Sequence, residues 1–460
     1  MLDAPAPAVL AGVRHRGLPL TERRLLLIGL DVAAVSAAFV AAFNLHTSSV
    51  RGAGFYVPRL GTLLTVALYL ACAHMADAYD LRAAGTVIGS LRTAGTALAC
   101  AFVGLLGVFF VVPYRITRPT LLLWLPLAVL AVMSGRLLCR RLLAADHLLS
   151  RIALVMPRQA LEEVWPEVRS QIGGLYRIAG VVDPTRPDSA ERLRSLVATR
   201  NVDQIVIGVG DQVTPELFRG MLGCHDAGVN VRSVADLHEE LTGRLLLDQL
   251  GAAWLMSLPM RSETSRLYGT FKRAVDLATA LLGLALLAVL LPPVTAMVIV
   301  DDPGPILHRQ TRVGKYGRTF TVYKLRTMRG SVGADGALPW TERGDPRITR
   351  VGRLLRRLHL DELPQAWNML RGDMSLIGPR PEQPCHVEEL RQQIDLYNTR
   401  LTVRPGLTGW AQVSYGYGSG VEGARTKLAY DLYYVKHQSV SLDLLIMART
   451  VLAVLRLGGR

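Results

Sequence analysis

Apolar residues gather in four long runs in the first third of the chain, at about 25–44, 58–76, 93–113 and 119–138. Each run is close to the roughly 20 residues that an α-helix needs to cross the bilayer core. Arginines precede the first run, lie between the second and third, and follow the fourth, with fewer in the opposite loops. This pattern predicts a four-helix membrane bundle, residues 1–148, with both ends in the cytoplasm.

Between about 150 and 262 the pattern changes to short β-rich runs separated by helical periodicity. The predicted strands are Ile152–Met156, Ile178–Val182, Gln204–Val209 and Val229–Val234, and the predicted helices are Ala160–Ile172 and Ser189–Thr199. This alternation predicts a Rossmann-like α/β domain with a parallel sheet, residues 149–264. The turn after the first strand reads MPRQA and has no G-x-G-x-x-G, so the domain is predicted to be non-catalytic.

A fifth apolar run, Ala274–Val300, contains Pro292 and Pro293. Two prolines remove two N–H donors, so we expect the helix to break there. Basic residues flank both ends of the run, which favours a re-entrant hairpin, about 272–300, over a fifth full span. A full span remains the alternative and would place everything downstream outside the cell. The chain is thus predicted to combine a membrane α-helical bundle, an α/β Rossmann-like domain and a mixed α/β catalytic domain, 265–460, that carries the re-entrant helix.

Composition supports a membrane protein with soluble parts. Half of the 460 residues are hydrophobic, the mean hydropathy is +0.28 and the formal net charge is +15. Residues 301–360 hold 13 Lys and Arg against five Asp and Glu, a local cationic field that suits anionic lipid or a polyanionic substrate. No recognition-helix or aromatic-platform pattern indicates nucleic-acid binding. The five cysteines show neither metal-ligand spacing nor a disulfide framework.

The stretch that follows this cationic segment carries an adjacent carboxylate pair, Asp361 and Glu362. Val351–Leu360 has helical amphipathicity with arginines on its polar side, which predicts a basic interfacial helix that leads directly into the pair. Pro364 is expected to kink that helix. Neighbouring side chains on a helix diverge by roughly 100°, so one carboxylate could attack phosphorus while the other holds a divalent metal. A solvated acidic pair is the alternative.

Five ordered blocks in the last 190 residues or so resemble a known family. They are KRAVD (272–276), the stretch 301–328, LDELPQAWNMLRGDMSLIGPRP (360–381), VRPGLTGWAQV (403–413) and the stretch 430–450. The chain resembles the bacterial polyprenyl-phosphate phosphoglycosyl transferases, in the large form with an N-terminal four-helix membrane bundle. Members of this family initiate the synthesis of exopolysaccharide, O-antigen or capsule.

The resemblance implies transfer of a sugar-1-phosphate from a nucleotide diphosphate sugar, expected to be UDP-linked, to polyprenyl (undecaprenyl) phosphate. It implies that Asp361 forms a covalent intermediate and that Glu362 and Asp361 bind Mg²⁺. The implied substrate-binding residues are Lys324, Arg326, Arg380, Arg404, Arg312 and Gln310. Membrane lipid is a further expected partner. The expected location is the bacterial inner membrane, with the catalytic domain facing the cytoplasm.

Two other functions stay open at this stage. One is a membrane glycosyltransferase that releases a nucleoside diphosphate, and the other is an inactive membrane scaffold or regulator. The sequence leaves open the sugar, the nucleotide, the glycan pathway and the oligomeric state, a homodimer included. Two local expectations concern packing: Arg273 and Asp276, three positions apart, are expected to pair, and Trp410 is expected to be a packing residue or interface anchor rather than a platform for the sugar.

Overall fold

The computed structural model describes residues 20–51, 58–80, 86–111, 118–143, 149–157, 161–162, 175–208, 213–247, 266–329, 345–415 and 420–455. The chain forms two compact units, Met1–Thr242 and Gly243–Arg460. Each unit has its own hydrophobic clusters of buried side chains.

Four helices open the first unit, each on one of the predicted apolar runs. They are α1 (Leu20–Arg51), α2 (Arg59–Met75), α3 (Val87–Val111) and α4 (Arg118–Leu143). The stretches Glu22–Thr47, Val87–Phe110 and Arg118–Arg141 are long and apolar enough to cross a membrane, whereas α2 is shorter at 17 residues. The four predicted helices are therefore confirmed as helices.

Small side chains line the contacts among these four helices. The buried core includes large side chains on three helices, Phe39, Tyr69 and Trp124, surrounded by alanines: Ala38, Ala42, Ala73, Ala94, Ala97, Ala101 and Ala128. Small residues let helix backbones approach closely, which is how helices associate in lipid, where burial of apolar surface gives little driving force.

A polar cluster lies inside this apolar core. Asp31 on α1 and Arg136 on α4 form a bidentate ion pair in which both side chains are at most 2% exposed. The Tyr69 hydroxyl on α2 donates to the same carboxylate at 2.9 Å, and Arg136 also donates to the carbonyl of Ala78 at 2.9 Å. Three helices and the turn after α2 are thus held together by one buried pair.

The rest of the first unit is a four-stranded parallel sheet with helices. Its strands are β1 (Ser150–Val155), β2 (Tyr176–Val182), β3 (Gln204–Ile207) and β4 (Asn230–Ser233), in the order β2-β1-β3-β4. The helices are α5 (Ser189–Arg200), α6 (Pro215–Asp226) and α7 (Val234–Thr242). The four predicted strands and the predicted helix Ser189–Thr199 are confirmed. The predicted helix Ala160–Ile172 lies outside the described residues except for Leu161 and Glu162.

Both faces of this sheet are covered, as the parallel arrangement requires. Ile152 and Leu154 of β1 pack on one face with Leu27 and Cys139 of the helical bundle. Ala153 and the other alternate positions pack on the opposite face against α5 and α6. The alternation of β1 side chains therefore produces two apolar layers.

The second unit begins with a 36-residue helix, α8 (Arg266–Asp301), which is also long and apolar enough to cross a membrane. The following strands are β5 (Leu307–Val313), β6 (Thr319–Leu325), β7 (Ser375–Ile377) and β8 (Gly406–Thr408). The further helices are α9 (Arg350–Arg357), α10 (Gln365–Arg371), α11 (Pro384–Gln393), α12 (Trp410–Ser414), α13 (Gly420–Lys436) and α14 (Val440–Leu455). The β5–β6 pair is antiparallel and the β7–β8 pair is parallel.

The predicted helix break at Pro292 and Pro293 is wrong, because α8 continues through both residues. A proline inside a helix loses one hydrogen bond and crowds the carbonyl four residues earlier, and a bend can relieve that crowding while the helical turn persists. The exposed apolar residues of α8 lie mainly before the prolines, with Leu282 72% and Val289 73% exposed.

The predicted pairing of Arg273 with Asp276 is also wrong. Arg273 donates instead to the carbonyls of Met369 and Leu370 at the end of α10, where the helix dipole favours a cation. Asp276 accepts hydrogen bonds from the Ser375 hydroxyl and the Leu376 amide, both at 2.8 Å. The two side chains therefore join α8 to two different elements.

Trp410 is a packing residue, as predicted. Its ring is 7% exposed, stacks with Tyr433 at 5.9 Å between ring centroids, and lies beneath the Arg449 guanidinium. Its indole N–H donates to the carbonyl of Gly243 at 2.6 Å.

Candidate active site

The β5–β6 hairpin supplies the basic wall of the site. Alternate residues of β5 face inward, and His308 lies directly opposite Lys324 of β6. Gln310 and Arg312 share this face, and the Arg312 guanidinium donates to Gln310 Oε1 at 2.6 and 3.1 Å. Because strand side chains alternate between faces, these four residues project from one surface of the hairpin.

The acidic pair lies on a tight turn rather than at the end of a long helix. Helix α9 begins at a Thr349 side-chain cap and ends at Arg357. His359 then adopts a left-handed conformation with φ of 56°, and Leu360–Glu362 form one turn of 3₁₀-helix. The predicted helix running into Asp361 with a kink at Pro364 is therefore wrong: the helix ends at Arg357, the left-handed His359 separates it from the 3₁₀ turn, and Pro364 precedes the first residue of α10.

Glu362 is held by two cations. Lys324 Nζ and Arg380 Nη2 each lie 2.9 Å from Glu362 Oε1, and the Glu362 side chain is 16% exposed. Burial alone would raise the pKa of Glu362, but the charges and hydrogen bonds of Arg380 and Lys324 outweigh burial and hold the pKa well below its ordinary value. Glu362 is therefore ionised.

Asp361 has the opposite environment. Its side chain is buried, and no hydrogen bond or ion pair reaches its carboxylate from the described part of the chain. Burial, followed by the neighbouring charge of Glu362, raises the pKa of Asp361 above its ordinary value. A carboxylate that is desolvated and carries no bound donor is the more nucleophilic of the two. The structure thus distinguishes two side chains whose roles the family resemblance separates but whose spacing in the sequence does not.

Arg380 lies on a turn, Gly378–Pro381, that is fixed through its backbone. The Gly378 amide donates to the Thr408 carbonyl, and the Pro379 carbonyl accepts from the Gly406 amide, each at 2.9 Å. A Cβ atom on Gly378 would lie 2.3 Å from the carbonyl oxygen of Arg404, so only glycine permits this close approach. The VRPGLTG segment therefore braces the turn from which Arg380 reaches Glu362.

Six of the predicted substrate-binding and acidic residues are brought into one neighbourhood. Asp361, Glu362, Lys324 and Arg380 form its centre. Arg312 borders it, because its guanidinium donates to the Pro381 carbonyl at 3.1 Å and lies 3.5 Å from the Glu382 carboxylate, and Gln310 accompanies Arg312.

Two predicted residues are not brought to this centre. Arg326 follows β6 and forms an ion pair with Asp302 at 3.2 Å. Its guanidinium passes so close to Gly304 that a side chain at that position would collide with it. The Arg404 side chain is exposed, and no hydrogen bond or ion pair reaches it from the described residues. It is the Arg404 backbone that contacts the Arg380 turn.

Asn368 is a site-building residue that sequence analysis missed. It is fully buried on α10, donates from Nδ2 to the Thr321 carbonyl at 2.7 Å, and accepts from the Tyr323 amide at 3.3 Å. These bonds fix β6, and with it Lys324, against the helix that follows the acidic turn. A polar amide among the apolar positions of LPQAWNML was the available signal.

The donor set fits a magnesium ion that also binds substrate phosphates. Mg²⁺ commonly takes one or two protein carboxylates and completes its shell with phosphate oxygens and water. Among the described residues, none donates to the Asp361 carboxylate, and the two that donate to Glu362 both reach Oε1, which leaves Oε2. No cluster of three or more metal-ligating side chains occurs among the described residues.

Comparison with known proteins identifies the family. Residues 267–457 match the family model described as bacterial sugar transferase. A UDP-N-acetylgalactosamine-undecaprenyl-phosphate N-acetylgalactosaminephosphotransferase of Aeromonas hydrophila is 39% identical over 53% of this chain and 57% of its own length. An undecaprenyl-phosphate glucose phosphotransferase of Komagataeibacter xylinus is 32% identical over 66% of this chain and 59% of its own. The chain thus spans less than two thirds of these two relatives.

A shorter relative is covered more fully. A UDP-glucose:undecaprenyl-phosphate glucose-1-phosphate transferase of Caulobacter vibrioides is 46% identical over 40% of this chain and 69% of its own length. The family match covers α8 and the whole candidate site, so the resemblance carried by the five sequence blocks is confirmed. The chain belongs to the bacterial sugar transferase family.

Proposed function

We propose that this protein transfers a sugar-1-phosphate from a UDP-sugar to undecaprenyl phosphate, forming a lipid-linked diphosphate sugar and releasing UMP. The observation that carries the proposal is the unequal carboxylate pair: Asp361 is buried and receives no hydrogen bond from the described residues, while Glu362 lies between Lys324 and Arg380. The activities after which the relatives are named support the substrate classes.

The proposed chemistry proceeds in two displacements at phosphorus. A carboxylate oxygen of Asp361 attacks the phosphorus that bears the sugar, the bridging P–O bond of the diphosphate breaks, and UMP departs with the bond electrons. A phosphate oxygen of undecaprenyl phosphate then attacks the same phosphorus and releases the Asp361 carboxylate. Such a covalent route divides one transfer into two easier steps.

The cations around Glu362 have a role in both displacements. Lys324 and Arg380, which both pair with Glu362, would bind diphosphate oxygens, with Arg380 offering a planar, multi-donor group suited to phosphate. Asp361 and Glu362 would hold Mg²⁺, which when bound neutralises phosphate charge and polarises phosphorus. Arg312 and Gln310 extend the basic wall toward the Arg380 turn.

We also propose that α8 is re-entrant, entering and leaving the bilayer on one face. Asp276 accepts a hydrogen bond from the Ser375 hydroxyl of β7, and Asp301 accepts one from the Val351 amide of α9, each at 2.8 Å. Along an ideal helix these carboxylates are roughly 37 Å apart, more than the roughly 30 Å hydrocarbon core. Their partners β7 and α9 belong to one compact unit, which argues against a straight crossing.

The remaining features of the proposal concern domains and location. Three domains, 1–148, 149–264 and 265–460, would comprise the bundle, a non-catalytic Rossmann-like module and the catalytic domain facing the cytoplasm. The parallel sheet with both faces covered supports the second of these. The exposed Leu354 and Leu358, adjacent in sequence to the arginines of α9, and the exposed Trp367 of α10 support contact with membrane lipid. Self-association as a homodimer stays a prediction.

The product nucleotide tests the function. Purified full-length protein in lipid nanodiscs, supplied with undecaprenyl phosphate, Mg²⁺ and either UDP-glucose or UDP-N-acetylgalactosamine, is expected to release UMP, which chromatography resolves from UDP. Reactions without the lipid acceptor or with EDTA serve as controls. Release of UDP would instead establish a glycosyltransferase, and release of neither nucleotide across a panel of nucleotide sugars would overturn the proposal.

The pH dependence follows from the environment of Asp361. The nucleophile must be deprotonated, and burial raises its pKa, so activity falls as pH decreases through that raised value. We expect an acid limb in kcat/KM with a midpoint above about 4, the ordinary value for aspartic acid. Circular dichroism over the same pH range would confirm that the protein stays folded. A profile that is flat down to that ordinary value would contradict the assignment.

A further inference from the structure

Arg400 is a buried cation that lies behind the site. Its side chain is 6% exposed and belongs to a 3₁₀ segment, Tyr397–Thr402. Arg400 Nε and Nη2 lie 3.0 and 2.8 Å from Asp431 Oδ2 on α13. Arg400 Nη1 donates to the Tyr397 hydroxyl at 3.0 Å. The Asp431 side chain is 3% exposed, so the two charges compensate each other away from water.

The same guanidinium reaches the Arg380 turn. Arg400 Nη2 donates to the main-chain carbonyl of Arg380 at 2.9 Å. The carbonyls of the residues on either side also accept hydrogen bonds. The Gly406 amide donates to the Pro379 carbonyl, and Arg312 Nη1 donates to the Pro381 carbonyl. The peptide that carries Arg380 is therefore held by Arg400, while its side chain points to Glu362.

We infer that Arg400 and Asp431 form a positioning pair that fixes the backbone of Arg380 and so aims its guanidinium at the diphosphate of the nucleotide sugar. The inference rests on the proposed function, because it takes Arg380 to be a phosphate ligand. Neither Arg400 nor Asp431 contacts the acidic pair, so both act through Arg380.

The chemistry of the pair explains why arginine is needed at position 400. A planar guanidinium with five N–H donors can serve Asp431, Tyr397 and the Arg380 carbonyl together, whereas an ammonium group is compact and has three donors. Asp431 in turn keeps Arg400 in place, because a buried arginine without its carboxylate would be strongly disfavoured. The pair thus orients Arg380 through rigid, desolvated contacts.

Kinetics of Arg400→Lys and Asp431→Asn test the inference in the full-length protein. We expect KM for the UDP-sugar to rise about 10-fold in each variant, since one charge-assisted contact to phosphate is weakened, with a smaller change in kcat. A preparation that is only partly folded would lower the maximal rate but leave KM unchanged. Thermal unfolding measured alongside would quantify any loss of stability.

Asp443→Asn is the matched control. Asp443 is a buried carboxylate of the same unit that pairs with Lys272 at 2.9 Å and accepts from the Tyr268 and Tyr434 hydroxyls, none of which belongs to the Arg380 turn. We expect this variant to lose stability with an unchanged KM. An equal rise in KM for the control, or no rise for Arg400→Lys, would overturn the inference.

Hydrogen exchange separates failure of this inference from failure of the proposed function. Amides of the peptide covering Gly378–Glu382 should exchange several-fold faster in Arg400→Lys than in the wild type, whichever substrate the protein uses. If the wild type releases no UMP but this exchange rises, the positioning contact stands and the function is wrong. If UMP is released and neither exchange nor KM changes, the pair does not position Arg380.

Discussion

Replacing Asp361 with asparagine is expected to lower turnover by at least about 1,000-fold and to abolish the covalent sugar-phosphate adduct. Asparagine matches aspartate in size but has no anionic oxygen to attack phosphorus. The structure predicts that the fold tolerates the change, because Asp361 makes no ion pair with the described residues that the substitution would break. Turnover would be measured by UMP release, and the adduct by intact mass or by transfer of label from a UDP-sugar carrying a labelled β-phosphate.

Two variants serve as comparisons for Asp361→Asn. Asp373→Asn removes a nearby, partly exposed carboxylate that pairs with Arg371 at 3.3 Å, and it should retain most activity. Glu362→Gln removes the charge between Lys324 and Arg380 but keeps the nucleophile, so adduct should still form, more slowly. Turnover of Asp361→Asn at a rate near the wild type, or an adduct of undiminished amount, would show that another group attacks phosphorus.

Among the ion-pair substitutions considered, breaking the Asp31–Arg136 pair is expected to lower the free energy of unfolding most. Asp31→Asn or Arg136→Gln would each leave one buried charge without its partner, which typically costs about 3–5 kcal/mol. Denaturant titration of the protein in detergent micelles would measure this loss of unfolding free energy. The same pair also holds Tyr69 and the Ala78 carbonyl, so the damage should spread across three helices.

A double substitution distinguishes a buried ion pair from a general packing effect. Asp31→Leu with Arg136→Met removes both charges, and apolar replacements of buried pairs are often close to neutral, so the double variant should be more stable than either single variant. The exposed pair Arg192–Asp188 provides a control, since Arg192→Gln should cost no more than about 1 kcal/mol. Additive losses in the double variant would refute the coupling.

Local periodicity predicted most of the secondary structure. The apolar runs became α1 to α4 and α8, and the short β-rich runs became β1 to β4, because burial of one face or both determines which residues are apolar. Periodicity could not predict the left-handed backbone at His359, since a single residue with positive φ leaves no repeating signal. The helix that was expected to include Asp361 therefore ends four residues earlier.

Contacts between segments that are far apart in the sequence could not be predicted from it. Asp31 and Arg136 are 105 residues apart, and Arg400, which lies outside the five blocks of the family resemblance, pairs with Asp431 in the last of them. Composition showed an excess of arginine around the site but could not distinguish Arg380, which reaches Glu362, from Arg326, which pairs with Asp302. Those assignments depend on how β6, the acidic turn and the Gly378–Pro381 turn meet in space.

The attachment of α8 to the rest of the second unit has a consequence for the proposed lipid acceptor. Asp276 is tied to β7, and Gly283 lies so close to α10 that an added Cβ would be 3.1 Å from Ala366, five residues beyond Asp361. With α8 immersed as proposed, these contacts would set the height of the nucleophile above the hydrocarbon. An isoprenoid tail could then stay dissolved among lipid tails while its phosphate reacts at that height, without the work of lifting the lipid out of the membrane.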